Sequence, residues 1–341
     1  MKNSIFNFGL TMAITSLTLI SCDNNDDDSS TVDTEFETAQ LFASNNSDGK
    51  VTIYDMNTGD VKTLTTSSDA AEGIYYDEDS DEIIQASRSS NQLNVYSGIS
   101  TYLASTTISA SFSSSSDVES PRDIAVNGDY LVVADNADVD GDTETADGRL
   151  FVYTIADGSI TLRNIITTDI ALWGIEFVGD DLYAVVDKTN ELAVYTSFTA
   201  TNTTDAVVSA SKRIAIEGIV RTHGLAYDNG TMILTDVGDA ASDSDGAFHI
   251  ITDFDSKFNA VADGETMVLA NNQVRVSGSS TFLGNPVATE YDADSETVFI
   301  AEAANGGGKV LAFSNASAGG DIAPSINNTL ASASSLYFYS N

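Results

Sequence analysis

The stretch "WGIEFVGDDLYAVVDKTNELAVY", residues 173–195, holds three short apolar runs divided by polar turns. Apolar and polar residues alternate with period two inside each run, the signature of short antiparallel strands. The same order of parts recurs through the chain: a glycine-led apolar strand, a polar turn, a second strand ending in small or acidic residues, a loop, and a third strand ending in an aromatic or large apolar residue. It is found at 72–96 ("EGIYYDEDSDEIIQASRSSNQLNVY"), 122–153, 223–251 and 287–313. Strands with turn signals at a period of about 40–60 residues are the mark of propeller blades.

The two ends of the sequence complete one more unit. Residues 39–65 supply second, third and fourth strands without a first, and "SSLYFY" at 334–339 is a first strand without followers. Pairing them predicts an all-β, six-bladed β-propeller over 38–341, closed by N- and C-terminal strands in one blade, with no open sheet edge. Helix is expected to be nearly absent. Tyr54, Tyr96, Tyr153, Tyr195 and Phe313 share the third-strand position and read as packing between blades.

Composition narrows the setting. With 42% hydrophobic residues the 341-residue chain can bury a full core, while 51 Asp and Glu against 14 Lys and Arg give a net charge of -37. Such a surface repels phosphate backbones, which excludes nucleic acid as a partner. It also keeps an extracellular protein soluble. The first 22 residues, "MKNSIFNFGLTMAITSLTLISC", place one cation before a short apolar run and read as an export signal. Cys22 is the only cysteine, so neither disulfides nor a thiol nucleophile are available. The polar, acidic run over 23–37 has little to bury and reads as a tether.

Leu19-Ile20-Ser21-Cys22 resembles the lipobox of bacterial lipoproteins. That resemblance implies acylation of Cys22 and a membrane anchor, each buried methylene contributing about 0.8 kcal/mol. Asp26, Asp27 and Asp28 resemble the export signal of bacteroidete-type surface lipoproteins, implying an outer-membrane protein at the cell surface; a periplasm-facing protein is the alternative. The chain is expected to be monomeric, with an extracellular small molecule, glycan or protein as its partner.

In a propeller, residues just before each first strand gather around one mouth of the central channel. Glu72, Arg122, Trp173 and His223 take this position at intervals of 50, 51 and 50 residues, followed by Val287 and Ser334. A concave mouth with convergent polar groups is a ligand site. Arg122 would grip an anion, Trp173 would stack on a sugar or ring, and Glu72 and His223 would supply hydrogen bonds. The competing reading is a structural plug in which these groups satisfy one another. His249, inside a third strand, reads as packing.

"EGIYYDEDSDEIIQAS" resembles the first-strand motif of gluconolactonase and regucalcin-like propellers, and "WGIEF" and "THGLAYD" are similar to their later motifs. The resemblance implies a glutamate, here Glu72, on a central calcium or zinc, and a metal-dependent lactonase. Trp173 and His223 stand where that family places Asn and Asp, leaving the cation short of the roughly six to eight oxygens calcium takes. Binding propellers of the NHL type are therefore the nearer analogy, and a structural subunit of an envelope complex is a third reading.

One loop, "NADVDGDTETAD" at 136–147, has calcium-loop spacing, with Asn136, Asp138, Asp140, Asp142, Glu144 and Asp147 as oxygen donors and Gly141 at the sharp turn. Asp236, Asp239, Asp243 and Asp245 form a looser copy that reads as a solvated loop. No nucleophile motif or phosphate loop is recognisable, and no pair of carboxylates is singled out by spacing.

Overall fold

The computed structural model describes residues 38–142, 146–156, 158–314 and 316–341, and they form six small sheets. The segments expected to be export signal and tether, with Cys22, lie outside the described residues. Each sheet is built on a blade of four antiparallel strands in chain order, and three of the six carry a fifth, parallel strand. The exception is blade one, where Ala333–Ser340 pairs antiparallel with Ala39–Asn45 and Leu41 faces Phe338, which joins the two termini as the orphan first strand predicted.

The core is divided among the joints between blades. Six buried clusters each combine residues of two neighbouring blades. Tyr195 and Phe198 of blade four pack with Val132 and Val152 of blade three, and Tyr153 of blade three packs with Ile84 and Val95 of blade two. All five third-strand aromatics are buried against the preceding blade, as expected from their register. Period-two alternation therefore gives each sheet two apolar faces, both covered.

The outer edges are partly covered too. Thr106–Thr107, Ala206–Val208 and Thr266–Met267, each from the connection before a blade's fourth strand, pair in parallel with the outermost strand of the blade before. Two short helices, Phe198–Thr201 and Phe254–Ala260, drop Phe198, Phe254 and Phe258 into the joints.

First strands line the axis, and in five blades a register shift marks their mouth end, as between Ala71 and Ile74 or Leu172 and Ile175. Such a bulge turns a side chain away from the sheet and towards the channel. The glycine that follows is needed for close approach: a Cβ on Gly174 would lie 2.5 Å from the His223 carbonyl oxygen, and one on Gly224 2.8 Å from Ala288 Cα. Removing the side chain lets the Gly174 N–H donate to that carbonyl at 2.9 Å, a bond between blades four and five.

Candidate functional site

Glu72, Arg122 and Trp173, each at a bulge, join His223 of the unbulged blade five in one connected chain of contacts. Arg122 Nη1 donates to Glu72 Oε2 at 3.0 Å and to Oε1 at 3.3 Å. The same guanidinium lies 4.2 Å from the centre of the Trp173 ring, and His223 stacks on that ring at 3.7 Å with planes 2° apart. Two groups this near one ring centre must occupy opposite faces. Trp173 is thus sandwiched between a cation and an imidazole, and neither face is open to the sugar or ring that the sequence assigned to it.

A second ring of residues supports the first. The residue one past each second strand donates its N–H to the loop entering the same blade's first strand: Asn46, Arg88, Asn136, Asp187, Val237 and Ala303. Four of them reach the mouth. Asn46 Nδ2 donates to Glu72, as does Arg88 Nη1 at 3.2 Å; Asn136 Oδ1 accepts from Arg122 Nε at 2.8 Å. Asp187 Oδ1 lies 3.2 Å from His223 Nε2 and accepts from Arg221 Nη2 at 3.0 Å. Val237, Val287 and Ala303 close the circle with apolar side chains, so the mouth has a charged arc and an apolar arc.

Blade four departs from its siblings in a way that frees Asp187. In the other blades with a long acid there, the last residue of the second strand caps the incoming loop: Asp135 accepts from the N–H of Glu119 and Ser120, Asp236 from Val220 and Arg221, Glu302 from Gly284 and Asn285. In blade four that position is Val186, and the carboxylate falls one residue later, aimed at the mouth.

The electrostatics follow from burial and neighbours. His223 is 3% exposed, and burial together with the nearby Arg221 and Arg122 cations holds its pKa below the ordinary value, against the pull of Asp187. Nε2 of His223 lies 2.9 Å from Arg221 Nε and 3.2 Å from Asp187 Oδ1, while Nδ1 is a buried atom without a partner among the described residues. Asp187 is opposed by its own burial, yet His223 and Arg221 hold it below the usual carboxylate range.

Glu72, the residue that the family resemblance makes a metal ligand, is held by two guanidiniums. A divalent cation at that carboxylate would sit against both of them, so the mouth does not fit a central metal. The calcium loop divides as well. Asn136 turns to Arg122 and Ser120 instead of the loop, because its side chain belongs to the second ring of the mouth. Asp138, Asp140 and Asp147 bring one carboxylate oxygen each within 4.8 Å of one another. Asp142 contributes a backbone N–H to Asp140, and Glu144 lies outside the described residues. In the looser copy, Asp236 is a buried cap and Asp245 accepts the Asp239 N–H at 3.1 Å, so both have structural partners. His249 is fully buried with Nδ1 2.7 Å from Gln273 Oε1, which is packing as expected.

Below the mouth, first strands of all six blades enclose a cavity of about 290 Å³. Asp123, Glu176 and Glu290 face it together with Tyr75, Tyr227 and Tyr337, and none of the described lining residues is Lys, Arg or His. Sequence reading missed these acids and also Asn46, Arg88, Asp187 and Arg221.

In sequence, no protein-family model and no curated protein matches the chain. In structure it is similar to a putative 6-phosphogluconolactonase from Bacteroides fragilis, at 10% identity and a TM-score of 0.58 over 92% of this chain and 100% of that one. It is similar also to a chain of a nidogen/laminin complex, at 14% identity and a TM-score of 0.57 over 88% and 98%. Likeness at such identities shows the propeller fold, which hosts unrelated activities.

Proposed function

We propose that this chain is a lipid-anchored binding propeller of the cell surface, whose charged mouth takes an anionic group, a carboxylate above all, of an extracellular ligand. One observation carries the reading: in a chain with 14 Lys and Arg against 51 Asp and Glu, three guanidiniums converge on one mouth beside only two acids. A local positive excess inside an acidic surface selects anions at short range. Arg122 is the buried link of the chain, 13% exposed, while Arg88 and Arg221 are 32% and 24% exposed at its two ends and are the groups a ligand meets. Trp173 is the spacer that holds the two ion clusters apart.

The test compares an oligogalacturonate with the neutral galactose oligomer of equal length, by calorimetry on the purified protein. Preference for the acidic sugar, lost in Arg221→Ala and Arg88→Ala, is the expected result. Equal binding of both oligomers, or binding indifferent to both substitutions, removes the anion reading. Anchoring is tested separately: palmitate labelling in an expressing bacterium that persists in Cys22→Ala refutes it. The acidic loop carries the remaining part of the proposal, a weak calcium site at Asp138, Asp140 and Asp147.

A further inference from the structure

The channel below the mouth is built differently from the mouth itself. Asp123 enters from blade three, Glu176 from blade four and Glu290 from blade six, all facing one enclosed cavity. Blade one adds Tyr337, blade two Tyr75, and blade five Tyr227. The charged groups beyond the lining are Glu72 above, already bound by Arg88 and Arg122, then Asp228 on blade five and Glu78 on blade two. Three carboxylates around a space of this size, with no cation among the described lining residues, repel one another when charged, so each ionisation makes the next more costly.

We propose that Asp123, Glu176 and Glu290 form a proton-holding device: at neutral pH they retain protons that keep mutually repelling charges out of the channel, and alkaline pH ionises them and loosens the ring. Burial pushes Asp123 up to about 7 and Glu176 up to about 8, and raises Glu290 well above the ordinary value. Asp123 is the first to ionise, because the N–H groups of Ile175 and Ile124 donate to its carboxylate at 3.0 and 2.9 Å. Its charge then raises the other two, so the cluster titrates as a unit. An acid whose pKa is raised on folding binds more protons folded than unfolded. Its stability contribution is therefore full at acid pH and is lost as pH rises from the ordinary carboxyl range through the folded value.

Among the described residues the window is free of other groups whose shift brings them into it. Ordinary surface carboxylates are ionised by about pH 6 and tyrosines titrate near 10 or above. His223 and His249 are both lowered and act on the acid side. The inference stands whether or not the mouth binds an anion.

The experiment follows the thermal midpoint of the full-length protein in detergent between about pH 6.5 and 8.5. Wild type loses several degrees across this window. The double variant Glu176→Gln/Glu290→Gln, whose amides mimic protonated carboxyls, keeps only the shallower fall owed to Asp123 and exceeds wild type at the alkaline end. Infrared difference spectra of the wild type alone give a second reading: a protonated-carboxyl band present at neutral pH and gone in alkali. A flat wild-type profile, an equal fall in the double variant, or no such band at neutral pH overturns the proposal. So does calcium raising the alkaline midpoint of wild type but not of Glu290→Gln, since the cluster would then be ionised around a metal.

Discussion

The mouth and the channel interior are neighbouring layers of the same six strands, and they handle negative charge in opposite ways. At the mouth every acid has a guanidinium: Glu72 binds Arg122 and Arg88, and Asp187 binds Arg221. One step down, Asp123, Glu176 and Glu290 face a cavity without a cation among its described lining residues. Burial is offset by ion pairing in the first layer and by protonation in the second. Removing an acid should therefore destabilise the mouth and stabilise the channel.

The largest effect belongs to Glu72. Glu72→Ala strands the buried Arg122 guanidinium, and breaking one side of such a pair costs about 3–5 kcal/mol. Denaturant unfolding should show a midpoint well below wild type. The companion Glu72→Gln/Arg122→Met, which removes both charges, should recover most of that loss; if it is as unstable as the single variant, the pair is not what supports this layer.

Glu290→Gln has the opposite sign and a smaller size. At about pH 8 it should stabilise, and the gain should vanish towards acid pH. A destabilising Glu290→Gln at alkaline pH would erase the contrast between the layers.

His223 supplies the third and weaker test. Its pKa is lowered, so the unfolded chain takes up the proton first and stability falls as pH drops below about 6.5 towards the folded value. His223→Phe keeps an aromatic on Trp173 and should remove part of the acid-side loss, while the parts owed to His249, lowered to about 4, and to the lowered carboxylates remain. Unfolding free energies at two acid pH values decide it, and an unchanged acid slope in the variant would show that His223 is already charged.

Much of this architecture is legible in the sequence because a ring repeats its register. The intervals between Glu72, Arg122, Trp173 and His223 predict a common mouth, and the contacts join all four. Their chemistry is less legible. Whether Trp173 offers a face to a ligand depends on Arg122 and His223 filling both sides, a fact of side-chain direction that spacing does not carry. The supporting ring was readable in principle: Arg88 in "QASRSS" and Asp187 in "VVDKTN" stand one residue past their second strands, as Asn136 does. Spacing alone assigns Asn136 to the loop because it cannot tell which of two nearby partners wins. The channel acids leave a subtler sign. Glu176 and Glu290 fall three residues after the mouth position, aligned with Tyr75, Ala125, Ala226 and Tyr337. On a strand with one edge on a channel, an acid among apolar residues points inward, but an acid in an alternating pattern also suits a solvent-facing position.

The smallest predicted effect lies on the rim, where Asp138 and Asp140 are exposed and Asp147 is half-buried. Asp138 Oδ1 already accepts the Gly141 N–H at 2.7 Å, and Asp147 accepts the Val139 N–H at 3.1 Å, so both carboxylates are held by backbone partners without an ion. An ion would gain the proximity of three carboxylates but little ordering of the chain, which places calcium affinity with the weak extracellular sites at about 10⁻⁴–10⁻³ M. At a calcium concentration equal to Kd the gain in stability is only about 0.4 kcal/mol. Calorimetric titration should find that affinity in wild type and lose it in Asp138→Asn/Asp147→Asn, with Glu72→Gln indifferent, because Glu72 answers to its guanidiniums. Loss of binding in Glu72→Gln with the loop variant unaffected would move the cation to the mouth and reverse the division of labour between rim, mouth and channel.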